Sequence, residues 1–349
     1  MREEIRTMDQ QIQPSLAKMA LGYITAEILY VAAELRLADA FDGGPRRYQE
    51  LAKVTGADPR TLRRLLRALV GEGVVTQVDA DRFELTELGG QLRADAPDSV
   101  RDTVLLTKTP ELHRAWGQLL SVVRRGEPTL HPDTGKTPFE WLLDNEELAP
   151  KFHRLMGEST RALAPGITEA GDFGRFGTVA DIGGGDGTLL AAILSAVPGP
   201  RGLLYDLPTA METAPAILGE AGVADRCEIV GGDFFTSVPS GADAYLLKNV
   251  IHDWDDEKSV VVLRNCRAAM QPDARLLLVE TVLPSIMTKD NVIAFADLGI
   301  MVGCGGAERS EEEYRELFDA SGFTFTSITE VLADGQQTGF HVVEGTPTA

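Results

Sequence analysis

His252-Asp253-Trp254-Asp255-Asp256 follows directly on an apolar run, Ala244-Tyr245-Leu246-Leu247-Lys248-Asn249-Val250-Ile251. An imidazole in such a place can take a proton from a hydroxyl near neutral pH, provided a neighbour fixes its tautomer. A second apolar run, Arg275-Leu276-Leu277-Leu278-Val279, ends in Glu280. Both runs read as buried parallel strands. Neighbouring strands lie about 5 Å apart, so adjacency would let Glu280 pair with His252 and raise the basicity of its ring. The acids after His252 also suggest metal ligation. Asp255-Asp256-Glu257, however, open a helix with apolar Val260, Val261, Leu263, Cys266 and Met270, where acids cap N–H groups and complement the dipole. No metal is expected. The other four histidines, His113, His131, His153 and His341, have no comparable placement.

A second constellation lies upstream. Thr178-Val179-Ala180-Asp181-Ile182-Gly183-Gly184-Gly185-Asp186-Gly187 is a short apolar strand running into glycines, followed by a helical pattern from Thr188 to Val197. Glycines let the backbone take positive φ and approach a ligand closely, and a helix start directs free N–H groups at it. Strand, glycine turn and helix make the nucleotide corner of a doubly wound sheet. The spacing is G-x-G-x-G, not the G-x-G-x-x-G of dinucleotide sites. The carboxylate of Asp181 would repel a pyrophosphate but suits an amino group. A second strand, Gly202 to Asp206, ends in an acid placed for ribose hydroxyls. A third, Cys227 to Val230, leads to Gly231-Gly232-Asp233-Phe234, an acid and an aromatic able to bracket an adenine. An acid-rich, glycine-rich site of this kind fits S-adenosyl-L-methionine, a sulfonium cation with an amino acid tail.

Because the carboxyl ends of parallel strands share one crevice, His252 is expected beside that cofactor. The elements that must position it fall into two parts. A helical and winged-helix-like part covers 1–165, for dimerisation and substrate capping, and a Rossmann-like α/β part covers 166–349, with alternating strands and helices from Phe173. Pro14-Ser15 opens a helix with apolar Leu16, Met19, Ala20, Tyr23, Ile24, Ile28 and Leu29. Leu29, Tyr30, Leu35 and Leu37 keep it apolar on more than one face, a face for a partner subunit. Residues 48–88 read as a winged helix with a second helix from Arg60 to Glu72 and a hairpin around Asp79-Ala80-Asp81. Arg60, Arg63, Arg64 and Arg67 share one face of that helix, as in a DNA reader. The module is nearly balanced in charge and the 349-residue chain carries a formal net charge of -20 with pI near 4.7. That field opposes nucleic acid and anionic membranes, so the winged module is read as a reused packing fold. Farther on, Phe139, Trp141 and Phe152 read as core, and Met156 as a side chain able to line a pocket. Cys227, Cys266 and Cys304 are widely spaced and expected to be free thiols in a reducing cytoplasm. The polar Met1–Gln13 segment is no signal peptide, and the charges within Leu16–Phe41 argue against a membrane span.

Taken together, Asp181-Ile182-Gly183-Gly184-Gly185-Asp186-Gly187, Asp206-Leu207-Pro208, Gly232-Asp233-Phe234-Phe235, His252-Asp253-Trp254 and Gly305-Gly306-Ala307-Glu308-Arg309 resemble the small-molecule O-methyltransferases that use S-adenosyl-L-methionine. That family includes plant caffeate-type enzymes and bacterial polyketide and antibiotic tailoring enzymes. The resemblance implies a class I methyltransferase sheet and a homodimer with intertwined N-terminal helices. It implies a general base at His252, with Glu280 and Glu308 holding its ring. It further implies that Asp206 binds the ribose, Asp233 and Phe234 the adenine end, Lys248 the sugar or tail, and that Gly183 lies under the methionine portion. Asn249 and Asp253 would touch the acceptor. Asn249, polar where plant members often carry a bulky apolar residue, points to an oxygen-rich polycyclic acceptor. The expected reaction is methylation of a hydroxyl, giving S-adenosyl-L-homocysteine. Nitrogen or carbon methylation, or other cofactor-bound tailoring chemistry, is the nearest alternative, and a winged-helix transcription regulator the more distant one.

Overall fold

A computed structural model describes residues 16–289 and 293–348. The chain forms two compact units, Met1–His113 and Arg114–Ala349. The expected line at 165/166 falls inside the helix Ala149–Gly171, and residues 114–165 group with the sheet.

In the first unit a short helix, Leu16–Ala20, precedes α1, Gly22–Glu34. The expected opening at Pro14-Ser15 lies outside the described residues. Leu16, Met19, Leu21 and Tyr23 are each more than half exposed. Strand β1 (Arg46–Arg47) leads to α2 (Tyr48–Thr55) and α3 (Pro59–Gly71), then β2 (Val75–Gln77) and β3 (Arg82–Leu85). Asp58 starts α3 by accepting from the N–H groups of Arg60 and Thr61, and Pro59 needs no partner at that position. Leu62, Leu66 and Leu69 are buried with Leu51, Val75 and Phe83. Strand order β1-β3-β2, all antiparallel, completes the wing. The arginine face is partly used at home. Arg63 donates to Ala80 O at 2.7 Å, stands 3.5 Å from Asp81, and lies over the Tyr48 ring.

The second unit is built on one sheet. Its strands are β4 (Thr178–Ile182), β5 (Arg201–Asp206), β6 (Cys227–Gly231), β7 (Ala244–Lys248), β8 (Arg275–Leu283), β9 (Arg309–Ser310), β10 (Phe323–Ala333) and β11 (Gln336–Pro347). The order is β10-β11-β8-β7-β4-β5-β6, with β9 beside the end of β8. From β6 to β8 the strands are parallel; β11 and β10 close that edge antiparallel. Near-continuous burial of β4, β7 and β8 is the mark of strands covered on both faces. Helices α4 (Ala149–Gly171), α5 (Thr188–Ala196), α6 (Ala214–Glu220), α7 (Asp256–Ala269), α8 (Ile293–Gly303) and α9 (Glu311–Ser321) accompany it. One core gathers Ile167, Phe173, Val179, Leu190, Leu246 and Leu277; the other gathers Ile182, Tyr245, Leu263, Leu278 and Phe318. After β4 the chain winds to β5 and β6, then returns to β7 on the other side. That reversal opens a crevice at the carboxyl ends of β4 and β7.

Two strand ends differ from expectation. The run from Ala244 leaves the sheet at Lys248, because Asn249 turns to φ +53, a conformation that interrupts a ladder. Ile251–Asp253 is a single 3-10 turn. Glu280, conversely, is not terminal: β8 runs on to Leu283, held by β11 opposite 276–281 and by β9 at Val282 and Leu283.

Candidate active site

The glycine turn follows β4. Gly183, Gly185 and Gly187 have φ of +70, +56 and +78, which favours glycine. A Cβ on Gly183 would stand 2.8 Å from Val250 Cγ2 and 3.5 Å from Phe234 Cε1. The turn is pinned from β5: Gly183 N donates to Tyr205 O at 2.8 Å, and Asp206 Oδ2 accepts from Gly185 N at 2.8 Å. Asp206 Oδ1 accepts from Leu207 N at 2.6 Å. Burial raises its carboxyl above the usual range, against these two bonds. Asp186, just before the Gly187 N-cap of α5, accepts from Thr188 N at 3.0 Å, and the position of Gly157 on α4 lies over its carboxylate, 3.7 Å from an ideal Cβ. Met156, next on that helix, is half-buried.

Asp181 is fully buried, and its Oδ2 has no hydrogen-bond partner among the described residues. Burial, with Asp206 and Asp186 adding repulsion and Lys248 opposing, pushes its carboxyl up to about 7. Burial likewise pulls the Lys248 ammonium down, against Glu280 and Asp181. Asp233 lines a surface cavity with Tyr205, Gly231 and Gly232, while Phe234 packs against Phe235 and Trp254. These features fit a nucleoside bearing a cationic amino acid tail. A buried acid waits without a donor, an acid with spare lone pairs ends β5, and the floor between them admits no side chain.

On the other side of the crevice stands His252. Its Nδ1 lies 3.1 Å from Glu308 Oε1 and 3.7 Å from Glu280 Oε2, and Nε2 lies 3.5 Å from Asp253 Oδ1. Glu280 is fully buried and Oε1 accepts from Val250 N at 3.1 Å and Ile251 N at 2.9 Å. It therefore holds the turn that carries the imidazole, and Glu308 is the closer ring partner. Glu308 is itself placed by its N–H, which donates to Asp297 on α8 at 3.0 Å. Burial opposes charge on His252, but Glu280, Glu308 and Asp253 outweigh it and push the imidazole up to about 9. Burial also raises Glu280, despite His252 and the two N–H groups. Among the described residues His252, Glu280 and Glu308 are the one cluster with metal-ligand spacing; Nδ1 is already committed there to a carboxylate. Asp255 and Asp256, considered above as ligands, start α7, where Asp255 accepts from Lys258 N.

Asn249 sits between the two halves, with Oδ1 buried and unpartnered among the described residues. Asp253 is half-buried and raised by burial, against the attraction of His252, with the Cys304 thiol 3.8 Å away. Every residue predicted for the site except Met156 therefore falls on the carboxyl edge of β4 to β8 or on the Glu308 segment. Asp297 was not singled out by sequence, and Gly306 and Arg309 entered only within the Gly305–Arg309 motif, with no role of their own. A Cβ on Gly306 would stand 2.0 Å from His252 O, and the Gly305-Gly306 pair was the available sign of that close approach.

Residues 116–324 match the O-methyltransferase domain family and residues 17–94 the O-methyltransferase dimerisation domain family. The chain belongs to the O-methyltransferase family. It is 38% identical to the phenazine O-methyltransferase of Lysobacter antibioticus, over 99% of this chain and 100% of that one. It is 39% identical to the O-demethylpuromycin-O-methyltransferase of Streptomyces alboniger, over 96% and 89%. A third relative, 36% identical over 87% and 88%, is the 8-amino-8-demethylriboflavin N,N-dimethyltransferase of Streptomyces davaonensis. Among solved structures, an O-methyltransferase from neocarzinostatin biosynthesis, in complex with S-adenosylmethionine and 2-hydroxy-5-methyl naphthoic acid, superposes with a TM-score of 0.81 at 31% identity. It covers 93% of this chain and 96% of that one. This methyltransferase has no helix, among the described residues, long and apolar enough to cross a membrane.

Proposed function

We propose that the methyltransferase carries a methyl group from S-adenosyl-L-methionine to a hydroxyl of an aromatic or polyketide-type secondary metabolite, with His252 as general base. The observation that carries this reading is the 3.1 Å contact of His252 Nδ1 with Glu308. A carboxylate on Nδ1 keeps the proton there and leaves Nε2 as the basic atom. Glu280 holds the backbone of the same turn, so the ring has a fixed direction.

When bound, the cofactor supplies an electrophilic methyl group. Asp206 is the ribose ligand, its two oxygens already oriented by Gly185 and Leu207. Asp181 offers a buried carboxylate to the amino group, Gly183 leaves the floor clear, and Lys248, Asp233 and Phe234 frame the remainder. Asp253, beside Nε2, and Asn249, with its unpartnered carbonyl, face the acceptor, and Met156 bounds it. Positioning two reactants and excluding water supply much of the acceleration. The exposed apolar residues Met19, Leu21 and Tyr23, within a segment matching the dimerisation domain, are the face of a homodimer.

The test is transfer of a labelled methyl from S-adenosyl-L-methionine to a panel of phenols, hydroxyquinones and arylamines, with products located by mass spectrometry. Label on oxygen, lost in His252→Ala, is the expected result. Label on nitrogen, the outcome that the riboflavin-type relative favours, would replace it.

A further inference from the structure

Arg309 is 2% exposed, yet its nearest carboxylate, on Asp256, is largely in solvent. Its guanidinium is spent mostly on backbone. Nη1 donates to Ile251 O at 3.1 Å and Ala307 O at 3.2 Å. Nη2 donates to Trp254 O at 2.8 Å, Asp256 Oδ1 at 2.8 Å and Ser259 Oγ at 3.4 Å, and Nε to Asp256 Oδ1 at 3.0 Å. These partners lie on two segments remote in sequence. Ile251 and Trp254 flank His252 and Asp253, and Ala307 precedes Glu308. Arg309 also stands opposite Val282 on β8, two residues beyond Glu280. Ala307 N adds a 2.9 Å bond to His252 O.

We infer that Arg309 is a positioning residue, whose planar fork locks the His252 turn to the Glu308 segment and so sets the imidazole–carboxylate contact. This rests on the proposed role of His252. A guanidinium presents five donors in a rigid plane, and a lysine ammonium at the same place keeps the charge but cannot span both segments. Only the fork fixes the distance. Slackening it frees Glu308 from Nδ1, which removes one of the influences that raise the imidazole.

Arg309→Lys is the test, read by turnover and by NMR titration of the His252 ring. Turnover is expected to fall about a hundredfold, the scale of a misplacement near 1 Å, with the Kd for S-adenosyl-L-methionine unchanged. The ring midpoint is expected to drop from about 9 toward 6.5. A folded variant with an unchanged ring midpoint overturns the inference, whatever its activity. A lowered midpoint with full turnover supports the clamp but counts against His252 as the base, so the two readings fail separately. Should Arg309→Lys not fold, Asp256→Ala, at an exposed side chain, loosens the same fork. It is expected to move midpoint and turnover in the same directions by a smaller amount, and no movement in either overturns the inference.

Discussion

The carboxyl edge of the sheet is built in two ways. Along β4, β5 and β6 it is made of glycines at positive φ and two acids: Asp181, whose Oδ2 has no hydrogen-bond partner among the described residues, and Asp206, each of whose oxygens accepts from one backbone N–H. Along β7, β8 and β9 it is made of buried charge tied down by hydrogen bonds: Glu280 on two N–H groups, Glu308 on His252, Arg309 on two segments. A half that must admit and release a ligand carries its unmet hydrogen bonds into the crevice. The half around His252 instead engages one oxygen of each acid internally, Glu280 Oε1 on two N–H groups and Glu308 Oε1 on the imidazole, and leaves Glu280 Oε2 and Glu308 Oε2 without a hydrogen-bond partner among the described residues. Low local dielectric makes both choices costly if incomplete.

The sharpest way to separate the halves is to damage one and measure both. His252→Ala should lower turnover about a hundredfold to ten-thousandfold, the usual range for a lost general base, while calorimetry finds the cofactor Kd unchanged. Equal loss of cofactor affinity would mean that the halves are not separate. The converse is Gly183→Ala. Its Cβ would meet Val250 at 2.8 Å at φ +70, so cofactor affinity should fall more than tenfold and the fold lose about 1–2 kcal/mol from the left-handed backbone. Denaturant titration and calorimetry read the two losses.

Acidity gives a third contrast. The His252 ring must be neutral to accept a proton, so kcat/KM for the acceptor should rise about tenfold per pH unit until about 9. A flat profile would mean that the acceptor arrives already ionised. The same shift has the opposite sign for stability. With the folded ring raised from 6.5 to about 9, protonation stabilises the fold below about 6.5, and this contribution is lost as pH rises through 9. Melting curves of wild type and His252→Ala should therefore converge over that window. The smallest expected effect is at Asn249, on the boundary between the halves. Asn249→Gly keeps φ +53 accessible, so the KM for the acceptor should rise several-fold, on the scale of one lost hydrogen bond, with the cofactor Kd unmoved. A shift in cofactor Kd alone would assign Asn249 to the other half.

Much of this was legible in the chain. Apolar runs ending in Asp181, Asp206 and His252 announce parallel strands with chemistry at their carboxyl ends, because burial on both faces and the ligand crevice are properties of the strand itself. The acids opening α7 read correctly as caps, since capping is decided within four residues. The ending of β7 at Lys248 and the continuation of β8 past Glu280 were not legible. Each depends on a neighbour: a left-handed Asn249 in one case, and β9 and β11 in the other.

By itself the sequence determined which residue types stand at the strand ends, and from them the cofactor class and the proposed base were read. Tertiary structure alone decided their division of labour. Glu308, 56 residues beyond His252, became the ring partner while Glu280 took the backbone of the turn. Arg309 was buried between them, and Arg63 was turned onto Tyr48 and Asp81. The reason is physical. Residue patterns within a helix or strand record local geometry, but a contact between distant segments depends on strand order and register, which only the assembled sheet sets.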